Sequence, residues 1–252
     1  MRRAVRELRY RRLLKRLAGP RLVAAFADAY PDAFFIEIGA NDGDQHDHLR
    51  AVILSHSWRG IMVEPVPYVF ARLERNYAGQ PGIVTDNVAV AERDGTLPFY
   101  HLAESGDTRL PTWYDAVGSF RRDAVLSHAR EIPDVAERIR TAEVRALTFD
   151  SLCREHGVQR VDLLAIDTEG YDWEILRTID LARWHPRLLI YEHYHLGDSD
   201  RAECRAYVEA AGYETMEEGF DTFCLDTASG DGLTEAWRRL SPAVAGVSAA
   251  DE

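Results

Sequence analysis

From residue 33 onward the chain alternates short apolar runs with stretches of helical spacing, and this alternation limits the fold more than any other feature. Ala33–Ile38, Gly60–Val63, Ile83–Val90, Val161–Ile166 and Leu188–Tyr191 read as strands, while the stretch after Asp44 and Tyr68–Tyr77 read as helices. Strands apolar at successive positions must be covered on both faces, as in a parallel sheet flanked by helices. Strand-like Thr96–Leu102 follows the turn Arg93-Asp94-Gly95. Near the end, Tyr213–Met216 and Thr222–Leu225 flank a glycine-containing turn and read as a closing hairpin. The expected fold is one doubly wound α/β domain over residues 31–240.

Two ends and one interior segment depart from the rhythm. Residues 1–30 read as a basic helical extension: Leu8, Leu13, Leu14 and Leu17 fall near helical spacing among arginines. Gly19-Pro20 is expected to end that helix, with a second through Leu22–Tyr30 stopped by Pro31. The leucines suit packing on the domain's own body or on a second subunit in a homodimer; a membrane-surface helix, a nucleic-acid arm and a transit peptide are the competing readings. Residues 241–252 read as a flexible tail. Residues 103–146 are polar, with Gly and aromatics, and long for a connection inside a compact domain. A lid over the site is preferred there, with Trp113, Tyr114 and Phe120 as substrate contacts, against an ordered insertion whose aromatics fill a core of its own.

Charge and cysteine content exclude several functions. Residues 1–21 carry +8 while the whole chain carries -12, so residues 22–252 carry -20, a poor surface for nucleic acid. The longest apolar runs are about five residues, against the roughly 20 of a membrane span, and no secretory h-region follows the basic start. Cys153, Cys204 and Cys224 are widely spaced, which excludes a disulfide framework and a cysteine-built zinc site and suggests a reducing, cytoplasmic compartment. Each is expected to be a small buried residue. Of the 30 basic residues only Lys15 is lysine, as expected of a high-GC bacterial genome.

The chemistry gathers at strand ends. In FFIEIGANDGDQHDH the first strand ends at Ile38, and Gly39-Ala40-Asn41-Asp42-Gly43 turns towards a helix. Such a turn lets backbone approach a ligand and offers unpaired N–H groups, although the spacing is not the dinucleotide G-x-G-x-x-G. Glu37, an acid in a buried strand end, needs a cation, and the ammonium of a bound amino-acid moiety would serve. The next strand, GIMVEPVPYVF, ends at Glu64, suited to accept both hydroxyls of a ribose. TDNVAVAERDG ends a third with Asp86 and Asn87, suited to an adenine edge.

Together these residues resemble the S-adenosylmethionine-dependent methyltransferases of the FkbM family, from about Phe34 to Leu196. The resemblance rests on IEIGANDGD, VEP, DNVAVAERDG and LTFDSLCREHGVQRVDLLAIDTEGYDWEIL, whose Asp167-Thr168-Glu169-Gly170 is the most specific part. It implies a class I, Rossmann-like methyltransferase sheet of seven strands with the last antiparallel, and S-adenosylmethionine as cofactor. Glu37 stands where the family usually carries Asp, keeping the charge.

Asp167 and Glu169 follow the strand VDLLAI, and Glu192, His193 and His195 end the neighbouring RLLIYEHYH, so both sets border one crevice. These oxygen and nitrogen donors suit Mg²⁺ or Mn²⁺, an arrangement similar to catechol-type O-methyltransferases, with a metal-free site as the alternative. Cofactor binding is assigned to Glu37, Gly39, Asn41, Gly43, Glu64 and Asn87. Metal or substrate binding goes to Asp167 and Glu192, with His193 as general base and further metal ligand and Glu169 as its helper. If His193 is not the base, His195, Glu169 and His46 follow in that order. His56, His101, His128, His156 and His185 have no convergent partner and read as packed or solvent-facing; His46 and His48 either reach the substrate or flank a helix start. The expected activity is O-methylation of a sugar hydroxyl in a bacterial glycoside or polysaccharide, the acceptor being a small molecule or oligosaccharide. A carboxyl or amine methyltransferase without metal, and a cofactor-binding partner protein without catalysis, are the rivals.

Overall fold

A computed structural model describes residues 17–45 and 47–245. His46, residues 1–16 and residues 246–252 lie outside the described residues, and with them most of the expected N-terminal helix, the expected role of His46 and much of the expected tail.

Seven strands form the main sheet: β1 (Phe34–Ile38), β2 (Arg59–Val63), β3 (Ile83–Asp86), β8 (Leu163–Ile166), β9 (Leu188–Glu192), β10 (Tyr213–Glu218) and β11 (Asp221–Asp226). Their order is β10-β11-β9-β8-β1-β2-β3. All neighbours run parallel except β11, which is antiparallel to both β9 and β10. This is the seven-stranded class I arrangement that the resemblance implies. The inner strands are mainly apolar because both faces are covered: every residue of β9 is buried. One face packs Ile36, Ile38, Leu164 and Tyr191 against Phe149, Ile175 and Trp184, and the other packs Phe35, Met62 and Leu188 against Phe26, Trp58 and Trp237.

Both chain ends contribute to that second face. The helix Ala18–Ala29 carries Gly19-Pro20 in its first turn, where proline's missing N–H has no intrahelical partner to lose. The amides of Ala18 and Gly19 donate to Glu218 Oε1 and Oε2 at 2.8 and 2.7 Å, placing a carboxylate at the positive helix end. The expected second helix, Leu22–Tyr30, thus begins at Ala18 and takes Gly19-Pro20 into its first turn, and it belongs to the core. The helix Gly232–Ala245, which spans the expected boundary at residue 241, packs against it through Leu233, Trp237 and Leu240. No helix among the described residues is long and apolar enough to cross a membrane.

The expected single strand Ile83–Val90 divides at Asn87-Val88 into β3 and β4 (Ala89–Val90). β4 belongs to a second sheet with β5 (Gly95–Leu102), β6 (Gly118–Ser119) and β7 (Ile139–Leu147), ordered β4-β7-β5-β6. Leu102, Tyr114, Val117, Val125, Ile132 and Val135 make its own buried cluster. The segment expected as a lid or an ordered insertion carries strand pairing and a buried cluster of its own, and it borders the crevice through Gly118 and Phe120. Tyr114 belongs to its core, with the hydroxyl donating to the Ala103 carbonyl at 2.9 Å, rather than contacting substrate.

Candidate active site

The carboxyl ends of β1, β2 and β8 open into a crevice that extends to the insertion. Glu37, Gly39, Asn41, Asp47, Glu64, Asp167, Glu169 and Asp221 supply much of its polar lining, with Phe99 and Phe120 as aromatic walls. The turn after β1 can exist only with glycine at residue 39. Its φ is +82°, and a Cβ there would stand 1.7 Å from the Asp167 carbonyl oxygen. Asn41 also takes a left-handed backbone, φ +49°, and its amide donates to Glu64 Oε2 at 3.1 Å.

Glu64 is held at both oxygens, since the Val66 amide donates to Oε1 at 2.8 Å. Burial still pushes its carboxyl up to about 7, because two N–H bonds do not replace its lost hydration. Glu37 is raised well above the carboxylate range by burial, then by Asp47 and Asp167, and its Oε2 has no hydrogen-bond partner. Asp167 is raised likewise, by burial and then by Glu169, Asp172 and Asp221. Asp47 and Asp221, which the sequence reading did not single out, each rise to about 6, chiefly through burial.

Several expected residues stand elsewhere. Gly43 does not line the crevice; a Cβ there would meet Tyr77 and Leu73 at 2.5 and 2.7 Å, so this glycine serves packing against the helix Pro67–Tyr77. Asn87 also lies off the crevice. Its amide donates to the carbonyls of Glu64 and Pro65 at 2.8 and 3.1 Å, bracing the chain that carries Glu64. Asp86 is hydrogen-bonded to His156 at 2.8 Å.

The largest correction concerns His193, expected as base and metal ligand. Its Nδ1 is hydrogen-bonded to Thr222 Oγ1 at 2.9 Å, and burial followed by Arg201 and Arg205 lowers its pKa to about 4. β9 ends at Glu192, and the turn closed by the Leu196 amide on the His193 carbonyl carries His195 round to Glu169 instead. Among the described residues Asp167, Glu192 and His193 are not one of the donor sets that converge within 4.8 Å, whereas His128, Glu169 and His195 are. Glu192 is buried beside the crevice, pushed up to about 12 by burial and then by Asp167, Glu169, Asp172 and Asp221.

His195 Nε2 stands 3.3 Å from Glu169 Oε2, and His128 Nε2 reaches the same oxygen at 3.3 Å. His128, expected to have no convergent partner, thus joins the strand ends from the insertion. Burial lowers the pKa of His195, with Glu169 opposing. Glu169 itself has a left-handed backbone, φ +52°, a strained conformation for a non-glycine residue. All three cysteines are buried and free.

The chain is similar to several known methyltransferases. A family model described as the methyltransferase FkbM domain matches residues 37–215. The 2-O-methyltransferase NoeI of Sinorhizobium fredii (strain NBRC 101917 / NGR234) is 29% identical over 147 residues, taking in 58% of this chain and 57% of that protein's length. Methyltransferase sdnD of Sordaria araneosa is 23% identical over 205 residues, with 73% and 75% covered. A solved methyltransferase FkbM from Methylobacillus flagellatus KT superposes over 77% of this chain and 44% of its own, with a TM-score of 0.47 and 12% identity. The family match runs from within β1 to within β10, well over half of the chain, and takes in both strand-end sets that border the crevice: the chain belongs to the FkbM family of methyltransferases.

Proposed function

We propose that the protein transfers the methyl group of S-adenosylmethionine to a hydroxyl of a sugar, in a glycoside, polysaccharide or related natural product. The observation that carries this reading is one crevice lined by buried carboxylates at one end and bordered by the Glu169–His195–His128 group at the other. Carboxyls raised by burial favour a ligand that brings positive charge, and this cofactor brings an ammonium and a sulfonium. Glu37 suits the ammonium, and Glu64 suits the two ribose hydroxyls, with Gly39 and Asn41 shaping the turn between them.

Methyl transfer is an in-line displacement, so the protein chiefly holds donor and acceptor in contact. A hydroxyl becomes a competent nucleophile only when its proton is removed or its oxygen is polarised. Glu169, His195 and His128 are the group that activates that oxygen; a carboxylate acceptor would not need them. Magnesium held by Asp167, Glu192 and His193 forms no part of the proposal. The name of the relative NoeI, a 2-O-methyltransferase, agrees with an oxygen acceptor. For a sugar, the supporting feature is an exposed aromatic pair. Tyr194 and Phe220 are each 60% exposed, their ring centroids are 4.4 Å apart, and they directly precede His195 and Asp221. Exposed rings grouped beside a crevice mark a binding surface, and the C–H face of a sugar stacks on such rings.

The test is incubation with methyl-labelled cofactor and a panel of sugars, carboxylic acids and amines. The expected product is a base-stable methyl ether on a sugar. Label in an ester or an N-methyl group, or no transfer to any acceptor while the cofactor binds, would overturn the reading in favour of the carboxyl, amine or non-catalytic alternatives.

A further inference from the structure

We propose that His128, Glu169 and His195 hold a divalent transition-metal ion, Zn²⁺ in preference to Mg²⁺, joining the insertion to the strand ends of the main sheet. This deepens the proposed function, since it names how the same group would activate an acceptor oxygen.

The geometry supports a shared ion. Glu169 Oε2 lies 3.3 Å from each imidazole Nε2, and all three donor atoms fall within 4.8 Å of one another. Two ligands each about 2.0–2.1 Å from a tetrahedral ion stand about 3.3–3.4 Å apart, so the spacing needs no rearrangement to enclose one. Neither contact is a hydrogen bond: Glu169 Oε2 and His128 Nε2 are buried and have no hydrogen-bond partner. Buried polar atoms left in this state are costly, and a cation between them satisfies both at once.

The surroundings point the same way. The side chains of His128, Glu169 and His195 are only 12%, 17% and 12% exposed. Trp113 packs on His128 with centroids 5.3 Å apart, and Tyr194 packs on His195 at 4.9 Å, so an aromatic ring steadies each imidazole. Asp167, Asp172 and Asp221 bring further carboxyl oxygens close to Glu192, and Glu192 Oε1 stands 4.0 Å from His195 Nε2. Two imidazoles and one carboxylate make the donor set of catalytic zinc sites, which leave a position for water or substrate. Magnesium prefers an all-oxygen shell and keeps its waters. When bound, such an ion would lower the pKa of an acceptor hydroxyl coordinated to it.

The experiment measures metal directly, without cofactor or acceptor. Protein stripped with chelator is titrated with Zn²⁺, Mn²⁺ and Mg²⁺ by calorimetry, and metal content is read after dialysis. One equivalent of Zn²⁺ is expected, bound more tightly than Mg²⁺. His128→Gln and His195→Gln should each weaken it by more than the roughly 10–100-fold typical of losing a group that merely orients a ligand, while His193→Gln leaves it unchanged. The unaltered protein loaded with Co²⁺ should show the strong visible absorption of a low-coordinate site, which keeps the test independent of how the variants fold. No stoichiometric Zn²⁺, or binding indifferent to both His128→Gln and His195→Gln, would overturn the inference. Full methyl transfer to a sugar in excess chelator would also remove the ion and leave the proposed function standing. Stoichiometric Zn²⁺ without transfer to any hydroxyl would do the reverse.

Discussion

Replacing Glu64 by glutamine isolates the proposed ribose contact. The carboxylate ends β2, is 7% exposed, and accepts the Val66 and Asn41 amides through separate oxygens. Glutamine keeps the shape and one acceptor oxygen but turns the other into a donor. One charge-assisted bond to the ribose is then lost, a loss of about 1.5–3 kcal/mol, or about 10- to 150-fold in the Kd for S-adenosylmethionine. Titration gives a second signature. Glu64 titrates at about 7 in the free protein, while ribose hydroxyls favour its anion, so cofactor binding must release the proton. Affinity in the unaltered protein should fall towards tenfold for each pH unit well below 7, in addition to slopes from Glu37 and Asp167. Glu64→Gln should lose that one-proton share while keeping the others. Calorimetry across pH 5.5–8, in buffers of different ionisation enthalpy, reads both effects. Equal affinities at pH 8, or parallel pH profiles, would refute the assignment of Glu64 to the ribose.

Other perturbations separate the roles of neighbouring groups. Glu169→Gln and His195→Ala should each cut turnover by about 10²–10⁴-fold with little change in cofactor affinity, whereas His193→Ala, which removes a partner of Thr222 outside the crevice, should leave turnover largely intact; steady-state kinetics beside calorimetry decides. Gly39→Ala should cost at least about 1–2 kcal/mol from the left-handed backbone alone, with the contact on the Asp167 carbonyl added, and should abolish cofactor binding, as a lowered Tm and a flat titration would report. Glu64 and Asp172 at about 7, and Asp47 and Asp221 at about 6, keep protons in the folded protein that the unfolded chain has lost. Their contribution is present at low pH and lost as pH rises through 6–7, so Tm of the free protein should fall from pH 6 to pH 8, and a rise would contradict the burial of these acids. His193, lowered to about 4, works in the opposite sense, withdrawing stability as pH falls below its ordinary 6.5. Tyr194→Ala should raise KM for a sugar acceptor and leave the cofactor Kd unchanged; an unchanged KM would remove the stacking role.

What was legible in the sequence follows from how a parallel sheet is written. Each inner strand is a mainly apolar run, and the polar residues at or just after its carboxyl end mark the edge where ligands gather, which is how Glu37 within β1 and Glu64, Asp167 and Glu169 beyond their strands could be singled out together. The choice between His193 and His195 was not legible, because it depends on where β9 stops and a turn begins. A two-residue period places both on one side, and the turn closed at Leu196 separates them. His128 was hidden for another reason. It follows a short helix in an insertion with its own sheet and core, and nothing nearby in the sequence marks its approach to Glu169. Asp47 precedes the helix Arg50–His56 and Asp221 opens β11, neither within a motif, and only the crevice shows that they share it. The start of the second helix was placed at Leu22 rather than Ala18 because the carboxylate that receives its first amides comes from the distant Glu218.

The central claim is that the cofactor lies across the carboxyl ends of β1 and β2 with its methyl group facing Glu169. A crystal structure with S-adenosylhomocysteine bound tests it most directly. The account predicts ribose hydroxyls on Glu64, the ammonium near Glu37, and the sulfur directed towards Glu169 and His195. A nucleoside seated away from Glu64, or a sulfur turned away from Glu169, would contradict it.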